Sequence, residues 1–133
     1  MELRTIQLLV AGVVVLTGAI FYARQERAEP SLDEKVLAQL KKAGSDLSKP
    51  HTIQFYLYFP SAEAANAAAV KVQTLSFAVV RVDKAAKGDD WLLLASKRMV
   101  PGKEAITKVS SELTAVAKDG KGDYDGWEAQ VTE

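Results

Sequence analysis

The chain lacks cysteine altogether and has one histidine in 133 residues. Without cysteine there are no disulfides, no thiolate zinc sites and no cysteine nucleophile, and the redox compartment stays open. The lone His51 has no second histidine with which to hold a metal or build a triad, so it reads as an exposed structural residue at a strand start. No sign of charge is in excess either. Lys+Arg and Asp+Glu are both 17, and residues 31–133 carry 14 of each. A neutral domain is a poor bulk electrostatic binder of nucleic acid and leaves only a local patch for such a role. Near misses do not fill the gap. Asp89-Asp90 are adjacent acids in a charged hairpin. Asp123-Tyr124-Asp125-Gly126 shares the start of a calcium loop, but its third acidic position and closing glutamate are out of register. Gly120-Lys121-Gly122 lacks the Walker arrangement of a glycine-rich loop opening a helix. No nucleophile–base pair or metal set emerges, so the expectation is a protein that is not an enzyme and has no cofactor.

What the chain does have begins with an apolar run. Residues 5–23, TIQLLVAGVVVLTGAIFYA, contain no charge. As a helix at ~1.5 Å per residue they reach ~28 Å, close to the ~30 Å hydrocarbon thickness of a bilayer. Arg4 precedes the run, and Tyr22, Arg24 and Arg27 mark its far end. A cleaved signal peptide fits less well, because Phe21 and Glu26 stand where cleavage needs small residues. Residues 1–29 are therefore read as a single-pass membrane anchor with its helix at about 5–24. The flanking cations are too evenly split to set its orientation.

Residues 30–50 read as an amphipathic linker helix and loop. Ser31-Leu32-Asp33-Glu34 has the capping-box pattern. Leu32, Val36, Leu37 and Leu40 form an apolar face, with Asp33, Glu34, Lys41 and Lys42 read as exposed, and Gly44 suits the helix end. The preferred reading is a spacer packed on the domain, and the alternative is an oligomerising helix.

Residues 51–133 read as one soluble domain. HTIQFYLYF at 51–59 alternates strictly, with Ile53, Phe55, Leu57 and Phe59 on one side and Gln54, Tyr56 and Tyr58 on the other, as a central strand requires. Alanine-rich 61–75 predicts a helix that sits close to a sheet, with Ala65, Ala68, Val72 and Leu75 inward. Strands follow at 76–83 and within 90–100. The apolar run of the latter suggests burial on both faces or a face awaiting a partner. Ile106, Val109, Leu113 and Val116 give 103–118 a clean helical stripe, and 124–131 is the last strand. This order predicts an α+β, ferredoxin-like βαββαβ sandwich, preceded by the transmembrane helix and the linker helix.

Both domain helices would cover one sheet face, leaving the other solvated or for binding. Tyr56, Tyr58 and Trp91 are the candidate contact residues there, with Arg81, Lys97 and Arg98 as nearby cations. Aromatics on middle strands suit RNA stacking, but WLLLASKRM lacks the glycine–aromatic signature of such binders. A protein-contact or self-association face is the preferred reading, and RNA binding the alternative.

The ending Tyr124-Asp125-Gly126-Trp127 resembles the terminal motif of the ribonuclease E inhibitor family, regulator of ribonuclease activity B. The likeness extends to the Thr52-Ile53-x-Phe55-Tyr56-Leu57 strand and to Ser76-Phe77 after the first helix, and so covers about residues 51–133. The resemblance implies the same sandwich and a non-enzymatic protein that binds an endoribonuclease and reduces RNA cleavage. It also implies a bacterial inner membrane for the anchor, with a lean towards the cytoplasmic side for the domain. Tyr124 and Trp127 read mainly as core anchors of the last strand, Gly126 as the residue that lets the chain turn beside the indole, and Asp125 as a cap for that turn. The family is typically acidic and soluble, whereas this chain is neutral and carries the apolar run. A further alternative is therefore an envelope protein of unrelated role that shares the domain.

Overall fold

A computed structural model of the chain describes residues 31–86 and 88–133. The anchor predicted at 5–23 lies outside them. Among the described residues, no helix is long and apolar enough to cross a membrane.

The described elements are α1 (Leu32–Lys42), β1 (His51–Phe59), α2 (Ala62–Thr74), β2 (Ala78–Lys84), β3 (Trp91–Met99), α3 (Lys103–Asp119) and β4 (Asp123–Ala129). They form a mixed α+β fold, a four-stranded antiparallel sheet with three helices. The sheet order is β2-β3-β1-β4. That order arises when two β-α-β units interleave, each placing one strand of the other between its own pair. β1 lies inside because it can pair on both edges: with β3 from His51↔Met99 to Phe59↔Trp91, and with β4 from Ile53↔Ala129 to Tyr58↔Asp123.

Alternation along β1 divides the sheet. Ile53, Phe55, Leu57 and Phe59 are buried beneath the helices, while Gln54, Tyr56 and Tyr58 on the other face are half-buried. α2 contributes Ala65, Ala68 and Val72 to the core, and α3 contributes Ile106, Val109, Leu113, Val116 and Ala117. Short alanines let α2 approach the strands closely. Phe55 and Phe77 meet edge to face with centroids 5.4 Å apart. The turn after α3 is equally tight. A Cβ at Gly122 would overlap the Tyr58 carbonyl oxygen and come within 2.7 Å of Phe59, so this glycine serves packing.

α1 closes the same core with Val36, Leu37 and Leu40. Its capping box is formed: the Ser31 hydroxyl accepts from the Glu34 N–H, and the Glu34 carboxylate accepts from the Ser31 N–H. Gly44, at φ +97°, follows the Ala43 C-cap.

Several expectations are corrected. His51 is not exposed; it is 1% accessible. Its Nδ1 donates to the Lys49 carbonyl at 2.8 Å, and its Nε2 meets the Ser45 hydroxyl at 2.6 Å. Ser45 in turn accepts from the Thr132 N–H, so the loop read as merely polar ties β1 to the chain end. Asp33 is not a solvated residue of α1 but a half-buried one facing α3 and β4. Gly126, at φ +117°, serves a β-bulge within β4 and not a turn, and Asp125 is the extra residue of that bulge.

Candidate interaction face

Register decides which residues share the face opposite the helices. Tyr58, Tyr56 and Gln54 of β1 pair with Leu92, Leu94 and Ser96 of β3. Beyond them, Asp83 pairs with Leu92 and Arg81 with Leu94. On the other flank, β4 sets Asp123 beside Tyr58, Gly126 beside Tyr56 and Glu128 beside Gln54. All three described helices pack on the other side of the sheet.

Leu92 and Leu94 form an apolar floor, 7% and 5% accessible, between the two tyrosines and the Arg81–Asp83 pair. Arg81 Nε lies 3.3 Å from Asp83 Oδ2. The apolar run of β3 is thus buried on both faces, because Leu93 and Ala95 face the helices.

Towards one end, the Tyr56 hydroxyl donates a hydrogen bond to Glu128 Oε1. Burial and the adjacent carboxylate both raise the Tyr56 pKa. Burial also raises Glu128, and the bond from Tyr56 opposes that rise. Glu128 is 5% accessible, and its Oε2 has no hydrogen-bond partner among the described residues.

Towards the other end, Tyr58, Asp90, Asp123 and Asp125 line a cleft of about 430 Å³ with Ala85 and Ala86. Burial first, and Asp123 second, push Asp125 up to about 6. Burial and the Asp125 charge likewise raise Tyr58. Among the described residues, no three His, Asp or Glu side chains are placed to hold a metal ion.

The structure brings together Tyr56, Tyr58 and Arg81 but not Trp91 or Lys97. Trp91 pairs with Phe59 and packs against the core on the helix side. Lys97 pairs with Ile53, also on the helix side, where its ammonium lies 4.7 Å from the Phe77 ring centre and donates to the Leu75 carbonyl at 3.4 Å. A stacking set of Tyr56, Tyr58 and Trp91 is therefore not assembled. Period-two parity across the β1–β3 pair is what separates them.

Tyr124 and Trp127 also face the helices. Trp127 is 1% accessible, and its Nε1 donates to Asp33 Oδ1 at 2.9 Å. Ser110 Oγ donates to Asp33 Oδ2 at 2.8 Å. Burial raises the Asp33 pKa, and these two bonds oppose the rise. Tyr124 is partly buried with its hydroxyl enclosed near the same group, and burial raises its hydroxyl pKa. The motif thus spans both sheet faces, with Tyr124 and Trp127 inward and Asp125 at the cleft.

A family model described as RraB, regulator of ribonuclease activity B, matches residues 31–129. The chain belongs to that family. No curated protein matches the chain. The regulator of ribonuclease activity B match begins at the N-cap of α1 and ends with the last residue of β4, so it takes in α1 together with the sheet. The family is one of regulators of an enzyme and not of enzymes themselves. Sequence reasoning missed two residues in this domain. Glu128 lies in the last predicted strand, but the face it takes depends on its pairing with Gln54 and on the bulge at Asp125, which periodicity within the strand does not show. Asp33 looked like an acid of a first helical turn, and nothing local distinguishes it from Glu34.

Proposed function

We propose that the chain is a membrane-tethered regulator that restrains an endoribonuclease of the ribonuclease E type by direct contact, without catalysis of its own. The carrying observation is membership of the regulator of ribonuclease activity B family. The open sheet face offers the contact surface, with tyrosines at 56 and 58 around the Leu92–Leu94 floor. Residues 5–23 supply the tether. Charge favours a protein partner over RNA. The face and its cleft hold Asp83, Asp90, Asp123, Asp125 and Glu128 against two cations, Arg81, which pairs with Asp83, and Arg98, which lies beside Thr52 at the end of β1. Phosphates would meet this acidic rim unfavourably.

The test is binding of the full chain, in detergent, to the purified endoribonuclease, with RNA cleavage followed in parallel. Wild type binds and slows cleavage. A Tyr56→Ala/Tyr58→Ala variant weakens binding by at least about tenfold, as loss of central aromatic contacts does. Absence of binding, or indifference to the double substitution, overturns the reading. Reporters fused after Glu133 test the side of the membrane. A cytosolic carboxyl terminus is expected, and one outside the cytosol would leave an envelope protein of another role.

A further inference from the structure

Among the described residues, Glu128 is the most buried carboxylate on this face, 5% accessible, and half of it is unsatisfied. Tyr56 occupies Oε1, and Oε2 has no partner among the described residues. A buried acceptor without a donor costs free energy, and an ionised one costs more. The same sheet face ends, at Tyr58, in a second acidic position built from Asp123 and Asp125. Between them, at the middle of this stretch, Tyr56 of β1 pairs with Gly126 of β4, and the Leu92–Leu94 floor lies one strand further in, on β3.

We propose that this face accepts a basic segment of the ribonuclease, which brings one cationic side chain to Glu128, a second to Asp123 and Asp125, and an apolar side chain against the Tyr56 ring between them. The inference rests on the function proposed above and specifies the chemistry of its partner. A guanidinium or ammonium donor supplies what Oε2 lacks. Glu128 stands on an edge strand opposite Gln54. The spacing also constrains the partner. Gln54 and Tyr58 mark the two acidic positions on β1, four residues apart, which is about 14 Å at ~3.4 Å per residue. An extended partner meets both with cations four residues apart and on one face, since the interval is even; a helix needs an interval of about nine.

The experiment measures binding of the full chain in detergent to the purified endoribonuclease, comparing wild type, Glu128→Gln and Asp123→Asn/Asp125→Asn. Each variant is expected to weaken binding by at least about tenfold. Wild-type affinity should fall as salt rises from about 50 to 300 mM, with a shallower slope in both variants. Glu128→Gln should melt no earlier than wild type, because it removes a buried charge without emptying the site. Wild-type affinity in either variant, or a single-stranded RNA probe that competes for the face, overturns the inference. Should Glu128→Gln both melt early and lose binding, the more exposed Asp123→Asn/Asp125→Asn pair decides: unchanged affinity there overturns it. If wild type itself does not bind, the proposed function fails; if wild type binds and the variants match it, only this inference fails.

Discussion

Two carboxylates whose pKa values rise on folding illustrate how the same shift serves different ends. Asp125 lies in the cleft, where burial and Asp123 lift it to about 6 from 3.8. Its folded form holds the proton more tightly than the unfolded chain does. The stabilisation is therefore complete below about pH 3.8 and is lost as pH rises to about 6. Asp125→Asn should equal wild type near pH 4 and exceed it above about pH 6.5, by under about 1 kcal/mol because the group is partly solvated. Urea titrations at the two pH values check this, and an advantage at the acid end would contradict it. Asp33 instead accepts two buried hydrogen bonds, from Trp127 and Ser110. Asp33→Ala would strand both donors and should cost about 2–3 kcal/mol, readable as a lowered denaturation midpoint. A cost typical of an exposed helix residue, under about 0.5 kcal/mol, would show that the bridge is unimportant.

At the scale of elements, α1 and β3 carry meanings that their own sequences only outline. The amphipathic stripe and capping box of α1 were plain, because both depend on neighbours three and four residues away. Its partners were not. Leu40 is fully buried in the core shared with the sheet, and Asp33 reaches β4 across 94 positions. Leu40→Ala should therefore cost about 3 kcal/mol in an equilibrium unfolding experiment, as a core leucine does. A detached spacer would leave the midpoint unchanged. For β3, the unbroken apolar run left open whether both faces were covered. The structure sets Leu93 and Ala95 under the helices and Leu92 and Leu94 between tyrosines and the Arg81–Asp83 pair.

For the whole molecule, the central question is where the regulatory domain works. An apolar segment at 5–23 and a domain beginning at Ser31 leave only a short connection between them. If residues 5–23 form the proposed tether, the proposed contact face is held near the bilayer, which raises its effective concentration for a partner at the same surface. The full chain should remain with membranes after alkaline carbonate extraction. Its appearance in the soluble fraction would remove the tether and leave the contact face to be tested by itself.

The sequence by itself determined the strands and helices, the alternation of β1, the capping of α1 and the likeness at Tyr124–Trp127, since each depends on local periodicity or a short motif. It also contained the order of elements from which the interleaved sheet follows. Only the tertiary structure decided that Trp91 and Lys97 lie apart from Tyr56 and Tyr58, because sheet parity is set across strands and one residue of register moves a side chain to the other face. It alone brought Glu128 beside Tyr56 and Asp33 beside Trp127, pairs separated by 72 and 94 residues. It also buried His51, whose partners Ser45 and Lys49 are near in sequence but are turned towards it only when the loop closes against Thr132. Periodicity is a property of a segment, whereas burial and pairing belong to surfaces that exist only once segments meet.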